Sequence, residues 1–220
     1  MKKIILVVVI ALIGAMAMPL YAQGVKKIAV KNAAVTDSLY NYDSEEFLKL
    51  EKLNEPIDFE SPDVEILNAA IFHLTNKERK KKKRSELIFS AELGKAAQFH
   101  SEQMRDQKFY SHENAKDKEF YSLDDRIRYF GGNFRMYGEN INDIDYKGQW
   151  RDKFFMLGIT PLTYGDLAKK IVRSWMSSSG HRANILDLDF KFLGCGTALP
   201  INPHKRKKYI YIYSTQDFGG

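Results

Sequence analysis

The stretch Gly180-His181-Arg182-Ala183-Asn184-Ile185-Leu186, followed eight residues later by Gly194-Cys195-Gly196, constrains this chain most. It joins a histidine at a helix exit to a Gly-x-Gly strand, an arrangement that holds an imidazole at a surface rather than in a core. Cys195 is the single cysteine, so it cannot form an internal disulfide. Between two glycines on a strand it reads as a buried thiol. A domain with one thiol must be held by its apolar core, and 220 residues are enough to build one.

The N-terminus carries a different signal. Lys2 and Lys3 precede an apolar run from Ile4 to Ala17, and Pro19-Leu20-Tyr21-Ala22 offers a small residue before Gln23. This three-part pattern predicts a secretory signal peptide over residues 1–22. The run is shorter than the roughly 20 residues of a spanning helix, so a cleaved signal is favoured over an anchor, and the mature chain is expected to have no transmembrane span. The expected location is periplasmic or extracellular. The formal charge of +6 is a mild excess that does not require a nucleic-acid partner. Residues 23–61 mix Asp, Glu, Lys and Asn with scattered apolar side chains. They read as an exposed leader or spacer, with a short helix near Glu45 to Leu53.

The domain proper is expected over residues 62–220. Ser61-Pro62 reads as a helix cap and first turn, and Val64, Leu67, Ile71 and Leu74 recur at helical spacing. That helix runs out in Arg79-Lys80-Lys81-Lys82-Lys83-Arg84, where cations suit the dipole. A second helix starts at Ser90 with the stripe Leu93, Ala97, His100 and Met104. A third spans Ser122 to Phe130, with Ser122 and Asp125 at capping-box spacing. A last long helix covers Tyr164 to about Ser177, with Leu167, Ile171, Val172 and Trp175 inward. Phe134 to Ile141 reads as a short strand, and Phe192–Ala198 with Tyr209–Phe218 as a hairpin. Residues 143–163, with Trp150, Phe154, Phe155 and Met156, read as an insertion. Helices on both faces of a sheet make an α+β, three-layer α-β-α sandwich the expected fold.

Two earlier pieces, Phe109-Tyr110-Ser111-His112 and Tyr137-Gly138-Glu139-Asn140-Ile141, complete a recognisable order. With Asn76-Lys77-Glu78-Arg79, Ala96-Ala97 and Gln216-Asp217-Phe218, the chain resembles the CAP superfamily (cysteine-rich secretory proteins, antigen 5 and pathogenesis-related proteins), and its bacterial branch in particular. The resemblance covers roughly residues 64–218. It implies that His112, Glu139 and His181 meet in one cleft, and that His112 and His181 are the candidate ligands of zinc or another divalent metal. Neutral imidazoles suit such ions. Many eukaryotic members carry Trp-x-x-Glu in the last helix. Here the series is Trp175-Met176-Ser177-Ser178, so Ser178 stands where the acid would be, which weakens both metal affinity and acid–base capacity.

Other chemistries are disfavoured by the residues. His112-Glu113 begins like a zincin helix, but position 116 is Lys. Ser111 and His112 are adjacent and point apart, so they form no nucleophile–base pair. A Cys195–His181 dyad is at odds with a packed Gly-x-Gly strand. His100 lies on an apolar stripe and reads as a hydrogen-bonded core histidine. The runs Arg79 to Arg84 and His204 to Lys208 could bind anions or a membrane surface, but most such runs are solvated faces. The favoured expectation is an exported, non-enzymatic module. It would bind a small ligand, lipid, glycan or protein in a cleft of His112, Glu139, His181 and Ser178, with Tyr110, Tyr137 and Trp175 lining or supporting it. The alternative is a divalent-metal-dependent hydrolase of peptidase type, with Glu139 as catalytic base. A third expectation, a structural envelope protein using its basic faces, leaves the two histidines without a role.

Overall fold

The computed structural model describes residues 38–145, 162–200 and 211–220. The expected signal peptide, the first part of the leader, most of the 143–163 insertion and the His204–Lys208 run lie outside them. Eleven elements follow one another: α1 Ser44–Phe47, a 3-10 turn Glu51–Asn54, α2 Val64–Lys81, β1 Ile88–Phe89, α3 Ala91–Gln107, α4 Leu123–Tyr129, β2 Tyr137–Asp145, α5 Tyr164–Ser177, α6 Ser179–Leu186, β3 Phe192–Ala198 and β4 Tyr211–Gly219. The sheet order is β1-β3-β4-β2. β3 and β2 each run antiparallel to β4, and β1 pairs in parallel with β3.

The strand period of two assigns the layers. Thr215 and Gly196 are register partners, and on that face the Thr215 hydroxyl meets Ser101 of α3 at 2.8 Å. One residue along, Gln216 donates to Thr75 of α2 at 2.6 Å, while Thr197 donates to Asn68 of α2 at 2.8 Å. α3 therefore covers one face and α2 the other. α5 joins the α2 side, where Trp175 Nε1 donates to the Ile141 carbonyl at 3.0 Å. The result is the expected α+β sandwich of three layers. Its core is built on Leu67, Ile71, Leu167, Ile171, Trp175, Leu193, Ile212 and Phe218, all fully buried. Each aliphatic of that set contributes about 1.5–3 kcal/mol by leaving water.

The Gly-x-Gly strand is explained by a close approach. A Cβ on Gly194 would stand 2.0 Å from Gly94 N, and one on Gly196 would stand 2.1 Å from Gln98 N. The backbone of α3 lies directly on β3, and only hydrogen fits between. Cys195 points the other way, into the α2 side, and is buried.

Most helix termini follow the sequence. Ser90 caps α3 through Leu93 N, and Ser122 with Asp125 forms the capping box of α4. Two expectations at α2 are corrected. Its cap is Asp63, whose carboxylate accepts from Ile66 N at 3.2 Å, so the helix starts after Ser61-Pro62 rather than on it. Arg79 also does not belong to a solvated cationic run. It is 1% exposed, and its guanidinium donates to the carbonyls of Ser85, Ile185 and Asp187 at 2.7–2.8 Å. It satisfies carbonyls at the end of α6 and in the turn after α2.

The leader is likewise corrected over its described part. Tyr40, Phe47, Leu53 and Ile57 are buried members of the main core. Phe47 stacks on His73 of α2 with ring centroids 4.2 Å apart, and Ile57 N donates to Leu162 O at 2.9 Å. These residues dock one at a time rather than as a periodic face, which is why no helical or strand period reveals them. β2 runs on to Asp145, beyond the expected end at Ile141, because its polar side chains hide a ladder of nine paired positions. The two-residue edge strand β1 is too short to carry a pattern.

Candidate functional site

The turn after α3 is set by Lys108, whose φ of 55° is left-handed and stops the helix. The chain then carries Tyr110, Ser111 and His112 across the mouth of the α3 side. β2 brings Glu139 to the same place from below, and α4 brings Arg126 from the flank. His112 Nδ1 and Glu139 Oε1 are 2.8 Å apart. Arg126 Nη2 donates to Glu139 Oε2 at 2.6 Å and also to the His112 carbonyl at 3.2 Å. His100 Nε2 lies 3.9 Å from Glu139 Oε2 and 3.0 Å from the Ser111 carbonyl. The Glu139 side chain is only 3% exposed, whereas that of His112 is 55% exposed.

Electrostatics follow from this packing. Burial alone would raise the Glu139 carboxyl, but the His112 hydrogen bond and the Arg126 charge together hold it below the ordinary value. The same hydrogen bond raises His112 against the opposing effect of burial. His100 is pulled down to about 4 by burial and stays neutral near pH 7, so its Nε2–H donates to Ser111 O. The expected role of His100 as a core histidine holds. Cys195 is buried and its thiol is pushed far up by that burial, so it does not ionise as a thiol dyad requires.

His181 reaches this end of the sheet from the opposite face. It lies in the first turn of α6, a short helix that follows α5 directly, rather than at a helix exit. Two asparagines hold α6 down. Asn140 Nδ2 donates to the His181 carbonyl at 3.1 Å and to Gln216 Oε1 at 3.2 Å. Asn184 Nδ2 donates to the Glu139 carbonyl at 3.2 Å and to Asn140 Oδ1 at 2.9 Å. The half-buried His181 ring is lowered by burial and then by the charge of His112, so the two imidazoles feel one another. Ser178 sits half-buried at the joint of α5 and α6, where its N–H donates to the Trp175 carbonyl at 3.1 Å and its carbonyl accepts from Arg182 N at 2.9 Å. Tyr110 and Trp175 both donate to the Ile141 carbonyl, at 3.3 and 3.0 Å. Tyr110 is half-exposed and Trp175 is buried beneath. Tyr137 instead packs beside Leu93 and Ile127 on the α3 side.

Arg126 is the residue of this buried cluster that sequence reading missed. Its position on a short helix with Arg128 made it look like a surface cation, yet it is fully buried. Only the contact across to β2 distinguishes the two arginines. Among the described residues, no three His, Cys, Asp or Glu side chains come together as a metal site. Glu139 has both oxygens committed, and the metal set the resemblance implies is His112 and His181 alone. That pair does not by itself assemble a resident site.

The comparisons with known proteins bear on the family and the fold. The profile of the cysteine-rich secretory protein family, CAP, matches residues 72–218. The chain belongs to that family. It is 32% identical over 126 residues to YkwD of Bacillus subtilis (strain 168), a match spanning 57% of this chain and 40% of YkwD. It is similar in fold to an extracellular protein of Bacillus anthracis containing an SCP domain, with a TM-score of 0.52 and 24% identity over 73% of this chain and 42% of that one. An outer surface protein of Borrelia burgdorferi superposes with a TM-score of 0.51 at 14% identity, over 75% of this chain and 96% of that one. The chain thus spans well under half the length of both Bacillus relatives. No helix among the described residues is long and apolar enough to cross a membrane.

Proposed function

We propose that this chain is an exported binding module, in which the half-exposed imidazoles of His112 and His181 anchor a polar group of a small ligand, lipid, glycan or protein. The observation that carries this reading is the commitment of Glu139. One carboxylate oxygen takes His112 and the other takes Arg126, at 2.8 and 2.6 Å, and the side chain is 3% exposed. A general base must reach the proton it abstracts, directly or through one water. Glu139 instead orients His112 with its Nδ1 inward, leaving Nε2 as the outward-facing atom. Export is supported by the basic-then-apolar start of the chain and by the fold it shares with an extracellular protein of Bacillus anthracis and an outer surface protein of Borrelia burgdorferi.

A second reading, a divalent-metal-dependent hydrolase, is favoured by one feature. A carboxylate bonded to the inner nitrogen of a histidine is the arrangement that orients metal-binding imidazoles. Zinc titration by calorimetry on the wild type and on the His112→Ala/His181→Ala double mutant separates the two. Micromolar or tighter binding lost in the mutant supports a paired-histidine metal site and justifies a hydrolase screen, in which turnover lost in the same mutant overturns the first reading. Absence of zinc binding from both folded proteins removes the hydrolase. The binding reading itself is tested by imidazole NMR shifts of His112 and His181 against panels of short glycans, lipid micelles and peptides. If no class perturbs either ring, the cleft is not the binding site.

A further inference from the structure

Asp217 takes no part in the cleft as described, yet it lies directly behind it. Its strand position on β4 pairs it with Glu139 of β2 on one side and Gly194 of β3 on the other. It is fully buried, and neither carboxyl oxygen has a hydrogen-bond partner among the described residues. The donors around it are bonded elsewhere, except Arg126 Nε, which has no partner among the described residues and so makes no bond to Asp217. Arg126 spends its Nη groups on Glu139 and on the carbonyls of His112, Phe120 and Tyr121. His112 is bonded to Glu139, His100 to Ser111, and the Cys195 thiol on β3 to Gln216. Its direct cross-strand neighbour, on the same face of the sheet, is Glu139, so the two buried carboxyls face one another.

Two buried carboxyls in contact cannot both be ionised beside a single guanidinium. Glu139 is the one with two N–H donors, so it keeps the charge, and Asp217 keeps a proton. We propose that Asp217 is the positioning residue of the site: a neutral carboxylic acid whose O–H donates to Glu139, so that the pair shares one proton and Glu139 is fixed between Arg126 and His112. Glu139 then accepts from three sides, and a carboxylate has lone pairs enough to do so. Burial and the Glu139 charge both raise the Asp217 carboxyl, in keeping with this assignment. The cluster thus holds one guanidinium and one carboxylate, leaving the protonation of His112 to decide the charge that faces the cleft. The inference rests on the buried cluster alone and stands whatever the cleft binds.

The test compares the full chain with Asp217→Asn, whose amide N–H replaces the acid O–H as a donor. Infrared difference spectra of protein carrying carboxyl-13C aspartate are expected to show, near neutral pH, a protonated-carboxyl stretch in the wild type that the Asn variant lacks. An all-ionised aspartate signature overturns the proposal. Thermal midpoints from about pH 4 to about 8 give the second readout. A raised carboxyl stabilises the fold at low pH and loses that contribution as pH rises through its folded value. The variant's midpoint is therefore expected to gain several degrees on the wild type's across that range. A difference that stays flat with pH overturns the assignment, because a merely structural role gives the same offset everywhere. If Asp217→Asn does not fold, the infrared band is followed in the wild type alone. It must persist well above the ordinary carboxyl range or the proposal fails.

Discussion

Adjacent residues of β2 face two differently built polar clusters. Glu139 looks toward α3 and α4, into ionisable groups: Arg126, Asp217, His100 and His112. Asn140 looks toward α2 and α6, into neutral amides and hydroxyls: Asn184, Gln216 and Thr75. Both are nearly or wholly buried. On the amide side, each of these side chains finds its partner at 2.6–3.2 Å. On the ionic side, among the described residues, His100 Nδ1 and Arg126 Nε have no hydrogen-bond partner, and the Asp217 oxygens meet no N–H donor. Neutral amides can donate and accept at once, so they close a network without residual charge. Ions must be balanced as well as bonded, and the imbalance surfaces at His112. The amide side is a clamp that fixes α6 and with it His181. The ionic side sets the state of the exposed ring.

That contrast can be broken most directly at Arg126. Arg126→Met strands the Glu139 charge in a dry site and is expected to cost about 3–5 kcal/mol in denaturant unfolding. Arg126→Met combined with Glu139→Gln is expected to recover a good part of that loss, since both ions leave together. A double mutant as unstable as the sum of the singles would mean that the two residues act independently. On the amide side, Asn140→Ala leaves Gln216 Oε1, the His181 carbonyl and Asn184 short of partners, for about 1–3 kcal/mol. Because no charge is exposed, its effect should not vary between about pH 5 and 8. A pH-dependent cost would erase the distinction between the faces.

The smallest effect concerns His112. Its folded value is raised, chiefly by the Glu139 hydrogen bond. It therefore contributes stability that is fully present below the ordinary histidine value and is lost as pH rises through the raised one. The ring is half-exposed, so after solvent screening this amounts to less than about 1 kcal/mol. Thermal scans across that window should show the slope in the wild type and a flatter one in His112→Ala. Equal slopes would remove Glu139 as the partner that tunes this ring.

The four long or capped helices and the terminal hairpin were legible in the residues, because each carries a local signal. Ser90 and Ser122 announce starts, the Leu67–Ile71 and Leu167–Ile171 steps repeat at helical spacing, and Ile212 alternates with tyrosines. The packed leader was not legible, since Tyr40, Phe47, Leu53 and Ile57 each fill a separate place on α2 and α5. Of the site, His112, Glu139 and His181 could be named from their motifs. Arg126 could not, and the burial of Arg79 and Asp217 within their motifs was not legible either, because an arginine or aspartate looks solvated until something is packed over it.

By itself, the sequence determined where helices begin, which strand lies bare against a helix, and which histidines are set near the sheet's end. These follow from nearest neighbours along the chain, from caps and glycines and periodicity. Only the tertiary structure decided which charges are buried and which carboxylate is used up. Ionisation and accessibility depend on groups far apart in sequence that the fold brings within 3 Å, as Arg126 and Glu139 are. At that range, withdrawal from water changes what an ordinary side chain can do.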